Sequence, residues 1–264
     1  VIRINSKAGK KQPVFAAFID GATAELYGYL KNDMLLVDVV RTNQEAFERI
    51  GMKQPDVREL LDMTRGDADT WRMYAEGYTM GLNQVEQEKT REKVMRYKPK
   101  NITELAAFVA AVRPAFKSML PIFLERRHFD YGIPAFDKLI QTREMTSSFL
   151  LYQEQTMKTL QFAGFSAPES YSAIKAIAKK HPEKVLPLKT RFLEGFAAKA
   201  DMPSAEKVWQ IIEDATSYGF NSSHAVCVAL DSLYGAWLKA HHPLEYYITL
   251  LSGYADKGDK DRIS

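Results

Sequence analysis

The spacing of apolar and polar positions changes near Arg41. Upstream, "PVFAAFIDG" (13–21) and "MLLVDVV" (34–40) are short apolar or β-branched runs bounded by Gly, Asn and Asp, and they predict strands. Downstream, apolar residues recur at intervals of three and four, which predicts helices. "NQEAFERIGM" (43–52) reads as one helix, with Thr42 or Asn43 as its cap. "DVRELLDMTR" (56–65) puts Val57, Leu60 and Leu61 on one face. "DADTWRMYAEG" (67–77) follows an Asp cap and stops at Gly77. "VEQEKTREKVMRY" (85–97) is polar all round, which predicts a solvated helix or a nucleic-acid face.

The pattern continues to the C-terminus. "NITELAAFVAAV" (101–112) begins with a capping box at Asn101 or Thr103 and stops before Arg113-Pro114. "SFLLYQEQTMKTLQFAG" (148–164) predicts a long amphipathic helix, and "APESYSAIKAIAKKHPE" (167–183) a shorter one closed by Pro182. "SAEKVWQIIEDATSYG" (204–219) carries apolar residues at 208, 209, 211, 212 and 215. Helices over 223–241 and 244–254 complete the set. The expected fold is mainly α: about nine helices behind a small β-containing N-terminal edge, with a loop-rich stretch near 114–137 and no internal repeat.

Composition narrows this picture only a little. A chain of 264 residues that is 46% hydrophobic can bury a sizeable core. A net charge of +3 says little about partners, since nucleic-acid binders concentrate basic residues rather than raise the total. The single cysteine, Cys227, rules out an internal disulfide framework and fits a reducing, cytoplasmic location. No apolar run approaches the roughly 20 residues a membrane span needs. The opening "VIRINSKAGKKQPV" has neither an initiator Met nor the apolar stretch of a signal peptide, so the expectation is a fragment of something longer.

Four places carry candidate chemistry, each with a plainer alternative. In "FNSSHA" a helix starts after Gly219, and the free N–H groups of such a start, with Asn221, Ser223 and His224 in or beside its first turn, suit a phosphate; an ordinary Ser cap is the alternative. In "AIKAIAKK", Lys175 and Lys179 share a helix face with Lys180 beside them, opposite Ile174 and Ile177, as either a phosphate-binding stripe or a solvated face. Arg126 and Arg127 in "RRH", with Arg113 at a helix end, suit bidentate phosphate contacts or serve the fold. Asp38, in the middle of the expected strand 34–40, is a costly buried carboxylate unless it is paired or binds a metal such as Mg²⁺. His128, His181, His241 and His242 have no zinc spacing, and no nucleophile elbow, P-loop or dinucleotide fingerprint is present. The balance favours anion or polynucleotide binding over acyl or redox chemistry.

The same residues carry a resemblance. "YGFNSSHAVCVALDSLYGAWLKAHHPLEYYITLL" is similar to a segment of the alpha subunits of bacterial family C replicative DNA polymerases, which reads Gly-Tyr-Gly-Phe-Asn-Lys-Ser-His-Ala, an apolar helix, then Leu-Lys-Ala-His-Tyr-Pro. "RGDADTWRMYAEGYTMGLNQVEQ", "MRYKPKNITELAAFVAAVRPAF", "FLLYQEQTM" and "AIKAIAKKHPE" resemble further blocks of that family in the same order, and "LLVDVV" sits where it has a palm strand with its third catalytic Asp. The match runs from about residue 30 to 254. It departs at Ile174-Lys175 for an Arg pair, Ala178 and Ala115 for Gly, and Ser222 for Lys, which points to a distant relative.

What the resemblance implies is specific. Residues 1–45 would be the C-terminal edge of the palm and 46–264 the helical fingers. The fingers would hold an incoming dNTP and template-primer DNA for two-metal nucleotidyl transfer, with Lys175, Lys179, Lys180, Arg113, Arg126, Arg127, Asn221, Ser223 and His224 near the phosphates. Asp38 would be the one catalytic, Mg²⁺-binding aspartate here, its two partners lying upstream of Val1. A sliding clamp and other replisome subunits would bind through other regions, and the fragment alone would polymerise nothing. The competing reading is a non-catalytic helical module, binding DNA or a replication partner, derived from such a polymerase.

Overall fold

The structure, a computed structural model, describes residues 2–4, 14–16, 19–30, 37–113, 116–179, 182–216 and 219–258. It divides into two units, residues 1–37 and 38–264. In the first, β1 (Ile2–Ile4) pairs antiparallel with β2 (Val14–Ala16), Ile2 opposite Ala16. Then α1 (Gly21–Leu26) is capped by Asp20, whose carboxylate accepts from the Thr23 amide at 2.7 Å. The strand expected over 13–21 is present at its start. The strand expected over 34–40 is not: residues 34–36 lie outside the described ones, and α2 (Asp38–Arg49) begins at Asp38. This helix runs unbroken across the 45/46 boundary expected from sequence.

The second unit is helical throughout. Its first core gathers around α13 (Ser222–His241), twenty residues long. Helices α2, α3 (Val57–Thr64), α4 (Ala68–Ala75), α6 (Ile102–Ala111) and α14 (Pro243–Lys257) all pack against it. Small residues make this possible: Ala225, Ala229, Ser232, Gly235 and Ala236 are buried along α13 and let neighbouring backbones approach. At Gly235 an added Cβ would come within 2.8 Å of Leu82 Cδ2. Helix α6 is apolar nearly all round, and every residue from Leu105 to Ala111 is buried, as such a helix requires.

A second core holds α8 (Pro134–Ile140), α9 (Gln153–Phe162), α10 (Ala167–Ala178), α11 (Pro182–Ala197) and α12 (Met202–Thr216), with Phe136, Phe192, Phe196 and Trp209 at its centre. A Cβ on Gly195 would lie 1.9 Å from the Ala163 carbonyl oxygen, so α11 closes on the end of α9 only with glycine there.

Several sequence expectations are corrected. Thr42 and Asn43 lie inside α2 and are buried, and the Asn43 amide donates to the Asp231 carbonyl at 2.9 Å. Helix α5 (Glu88–Tyr97) is not polar all round, since Val94 and Tyr97 face the core. Residues 149–151 are not helical, and α9 starts at Gln153. Pro182 opens α11 instead of closing α10, the position where a missing N–H costs nothing. Short helices α7 (Leu120–Leu124) and α8 occupy the stretch read as loop.

Candidate functional site

The start of α13 meets the start of α9 through backbone and side chains. The Phe220 amide donates to the Leu151 carbonyl at 3.3 Å and the Gln153 amide to the Phe220 carbonyl at 2.9 Å, a parallel bridge of Tyr152 with Phe220. Gly219 permits the approach, since a Cβ there would lie 3.0 Å from Gln153 Cγ. Next to the bridge, Asn221 rather than a serine is the cap of α13, its Oδ1 accepting from the His224 amide at 2.9 Å. The Asn221 Nδ2 donates to Glu154 Oε1 at 3.0 Å, and the Ser222 amide donates to both Glu154 oxygens at 3.2 and 3.1 Å. The positive end of α13 therefore already holds a carboxylate, supplied by the first turn of α9.

Phe220 is the hub. Its ring carries the Arg113 guanidinium on its face, 3.4 Å from the centroid, and the His224 ring edge-on at 5.1 Å. Arg113 Nε is buried without a hydrogen-bond partner among the described residues. Burial also lowers the pKa of the guanidinium, as expected where the charge lacks full solvation. The side chain borders a cavity of about 180 Å³ with Phe116, Tyr131, Leu150, Leu151 and Asp214. Three stretches far apart in the chain, 113, 151–154 and 219–224, thus form one cluster.

Arg126 stands in a different environment. It follows α7 in a left-handed conformation, φ 54°. Its Nε donates to the Tyr97 carbonyl at 2.9 Å and Nη2 to the Lys98 carbonyl at 2.9 Å, capping the end of α5. Nη1 and Nη2 reach the two oxygens of Glu104 at 2.9 and 2.6 Å, and the guanidinium lies 4.5 Å from the Tyr97 ring centroid. The Glu104 hydrogen bond raises the Arg126 pKa. Burial pushes Glu104 up, but Arg126 and the Lys100 amide outweigh it and leave its pKa below the usual carboxylate range. This side chain joins α5 to α6 and has little left to offer a phosphate. Arg127 is exposed and pairs with Glu125 at 2.8 Å.

The remaining sequence candidates lie elsewhere. On α10, Lys175 sits over the exposed Tyr171 ring at 4.4 Å, and Lys179 is the exposed C-terminal cap, while Ile174 and Ile177 are buried as expected. Lys180 lies outside the described residues. Ser223 is exposed in the first turn of α13. Asp38 is exposed in the first turn of α2, where the helix dipole favours a carboxylate. It borders a cavity of about 330 Å³ with Arg41, Asn83 and Glu86. Among the described residues no three His, Cys, Asp or Glu side chains group as metal ligands, so these residues do not by themselves fit a Mg²⁺ site.

Sequence reasoning missed Glu154, Glu104 and Phe220 as partners. Within the block "FLLYQEQTM" the residues at the head of α9 make specific contacts. Here Gln155 is buried, accepts from the Leu151 and Tyr152 amides at 2.8 Å each, and donates to the Ile140 and Phe149 carbonyls at 2.7 and 3.0 Å. Adjacent Glu154 turns to α13. The available signal was a run of three polar residues, Gln153 to Gln155, at the head of an apolar-faced helix.

Residues 38–200 match the bacterial DNA polymerase III alpha subunit finger domain. The chain is 29% identical to the DNA polymerase III subunit alpha of Campylobacter jejuni over 98% of its own length and 23% of that protein's. It is 32% identical to that of Thermotoga maritima over 81% of the chain and 25% of the relative, and 30% identical to that of Bacillus subtilis over 90% and 21%. The chain thus spans about a quarter of the length of the curated relatives it matches. With α2 to α11 inside the matched finger domain, the chain belongs to the bacterial DNA polymerase III alpha subunit family.

Proposed function

We propose that this chain is the fingers, 46–264, with the last edge of the palm, 1–45, of a DNA-directed DNA polymerase acting in the cytoplasm. Its fingers contact the phosphates of an incoming dNTP and of template-primer DNA. The observation that carries the reading is the Arg113–Phe220–His224 cluster: a guanidinium with no carboxylate partner among the described residues, held over a ring, beside an exposed imidazole. A fixed, incompletely paired cation near a helix start is suited to a polyanion, and the guanidinium fork can take two phosphate oxygens at once. Lys175 and Lys179 add exposed charge from α10. In the longer protein, Mg²⁺ would supply charge neutralisation at the transferred phosphate through residues outside those described here; the sliding clamp and other replisome subunits are partners of that protein as well.

The test uses the longer protein. Arg113→Ala is expected to raise the KM for dNTP about tenfold with primer-template affinity nearly unchanged. The log–log salt slope of DNA binding should fall by about 0.7–0.9 for each phosphate contact removed elsewhere, for instance by Lys179→Ala. Equal losses in dNTP KM and DNA affinity would move Arg113 from the nucleotide to the template. A longer protein that incorporates no nucleotide yet binds DNA would leave the non-catalytic module as the reading.

A further inference from the structure

We propose that Glu154 is a built-in anion that closes the positive end of α13 to phosphate and so confines a polyanion to Arg113 and His224. This rests on reading the Phe220 cluster as a phosphate-facing site. The first-turn amides of a helix are donors without partners inside the helix, and they attract whichever anion is nearest. At α13 that anion is internal. Glu154 accepts from the Ser222 amide with both oxygens and from the Asn221 side chain, while Asn221 turns its own oxygen to the His224 amide. The Ser222 and His224 amides and both ends of the Asn221 amide group are therefore occupied before any ligand arrives. What stays outward is the His224 ring, exposed against Phe220, and Arg113 on the same ring, with the exposed Ser223 beside them in the first turn.

The arrangement has two consequences. Glu154 fixes the direction of the 220–224 segment, because its helix α9 is anchored in the second core while Phe220 belongs to the first. Its charge also offsets the helix end, so that affinity for phosphate is held below what the bare amides, the Arg113 guanidinium and the His224 ring would give. That suits a surface that must release a polyanion after each use. Glu154 is a positioning and tuning residue; it touches no ligand itself.

The experiment titrates the 264-residue chain with sodium tripolyphosphate at low salt, following heat by calorimetry and folding by far-UV circular dichroism. Arg113→Ala should weaken binding about tenfold. Glu154→Gln and Glu154→Ala should each tighten it about two- to fivefold, because they remove a negative charge from the first turn. The gain should shrink as salt rises. Glu154→Asp, which keeps the charge, should show no gain. A purely structural role predicts weaker binding for every Glu154 variant, and that result overturns the proposal, as does a gain in Glu154→Asp equal to that in Glu154→Gln. If Arg113→Ala has no effect, the phosphate-facing reading of the cluster fails instead. If no variant binds, both fail.

Discussion

Arg126 and Arg113 look alike in sequence: each follows an apolar helix, and each is a natural partner for phosphate. Their surroundings differ in kind. Arg126 donates to two main-chain carbonyls and both oxygens of Glu104, so its four hydrogen bonds close the gap between the end of α5 and the start of α6. Arg113 has no such set. It lies on Phe220, its Nε is buried without a partner, and its pKa is lowered by burial alone. The two residues show that a guanidinium near a candidate site is informative only after its donors are accounted for. A residue whose donors are all satisfied by the fold contributes stability; one held in place with donors to spare can contribute recognition.

The largest test of this contrast is Arg126→Ala. It removes hydrogen bonds to a charged partner and leaves Glu104 and the Tyr97 and Lys98 carbonyls without them. The pair is partly exposed, with 39% and 24% of the side chains accessible, so the full cost of a buried pair does not apply. A loss of about 3 kcal/mol in chemical denaturation is expected, with tripolyphosphate affinity of the folded fraction unchanged. Loss of anion affinity without loss of stability would reverse the roles assigned to the two arginines.

A second buried cation extends the comparison to the other end of α13. Lys239 is 4% exposed and donates to the Tyr78 and Met80 carbonyls at 2.7 and 2.8 Å. Burial pulls its pKa down to about 8, with Glu86 opposing. The sign follows from the protons bound. Above about pH 8 the folded Lys239 is neutral while the unfolded one stays charged up to its ordinary value of 10.5, so the unfolded state binds more protons and stability contributed by this group rises with pH. Wild-type stability relative to Lys239→Met should therefore increase by about 1–2 kcal/mol between pH 8 and 9.5. A flat difference would mean the amine is hydrated and unperturbed.

The helices were largely legible because their periodicity and caps are local. Asp67 and Asn101 each stand before an apolar-faced run and each accepts from an amide in the first turn, while at α13 the cap is Asn221 rather than the expected serine. What failed depended on contacts the sequence does not display. Asp38 read as a strand carboxylate because "LLVDVV" is β-branched, yet residues 38–40 are taken into α2, whose buried Ala46 and Phe47 pack on the first core. The proline at 182 read as a stop and is a start. At the site, the meeting of 220–224 with the head of α9 was invisible, since its partners are separated by more than sixty positions. Arg126 was chosen by residue type, and only its geometry shows that its donors are engaged.

Acid should expose the Arg126 contribution in a smaller, graded way. The Glu104 pKa is lowered in the fold, so its stabilising effect is complete above the ordinary carboxylate value of 4.5 and is lost as pH falls through the folded value. The stability lead of wild type over Arg126→Ala should shrink as pH falls below 4.5. A lead that stays constant down to pH 3 would assign the effect to the carbonyl caps on Tyr97 and Lys98 rather than to the ion pair.

The smallest expected effect is the stability change on Arg113→Ala, and it is the one that can break the contrast. Two terms oppose each other. The substitution gives up a cation–π contact worth about 1 kcal/mol at a partly buried ring. It also removes a buried, unpartnered Nε whose desolvation costs about 1 kcal/mol or more. The net change is expected to be within about 1 kcal/mol, read as a small shift of the urea midpoint at constant slope. The slope matters, since the cluster ties the first core to the head of α9, and a change in it would mean the folded state had loosened. If Arg113→Ala costs as much as Arg126→Ala, then Arg113 is holding Phe220 in place for the fold, and its spare donors are the consequence of close packing rather than of a reserved binding surface.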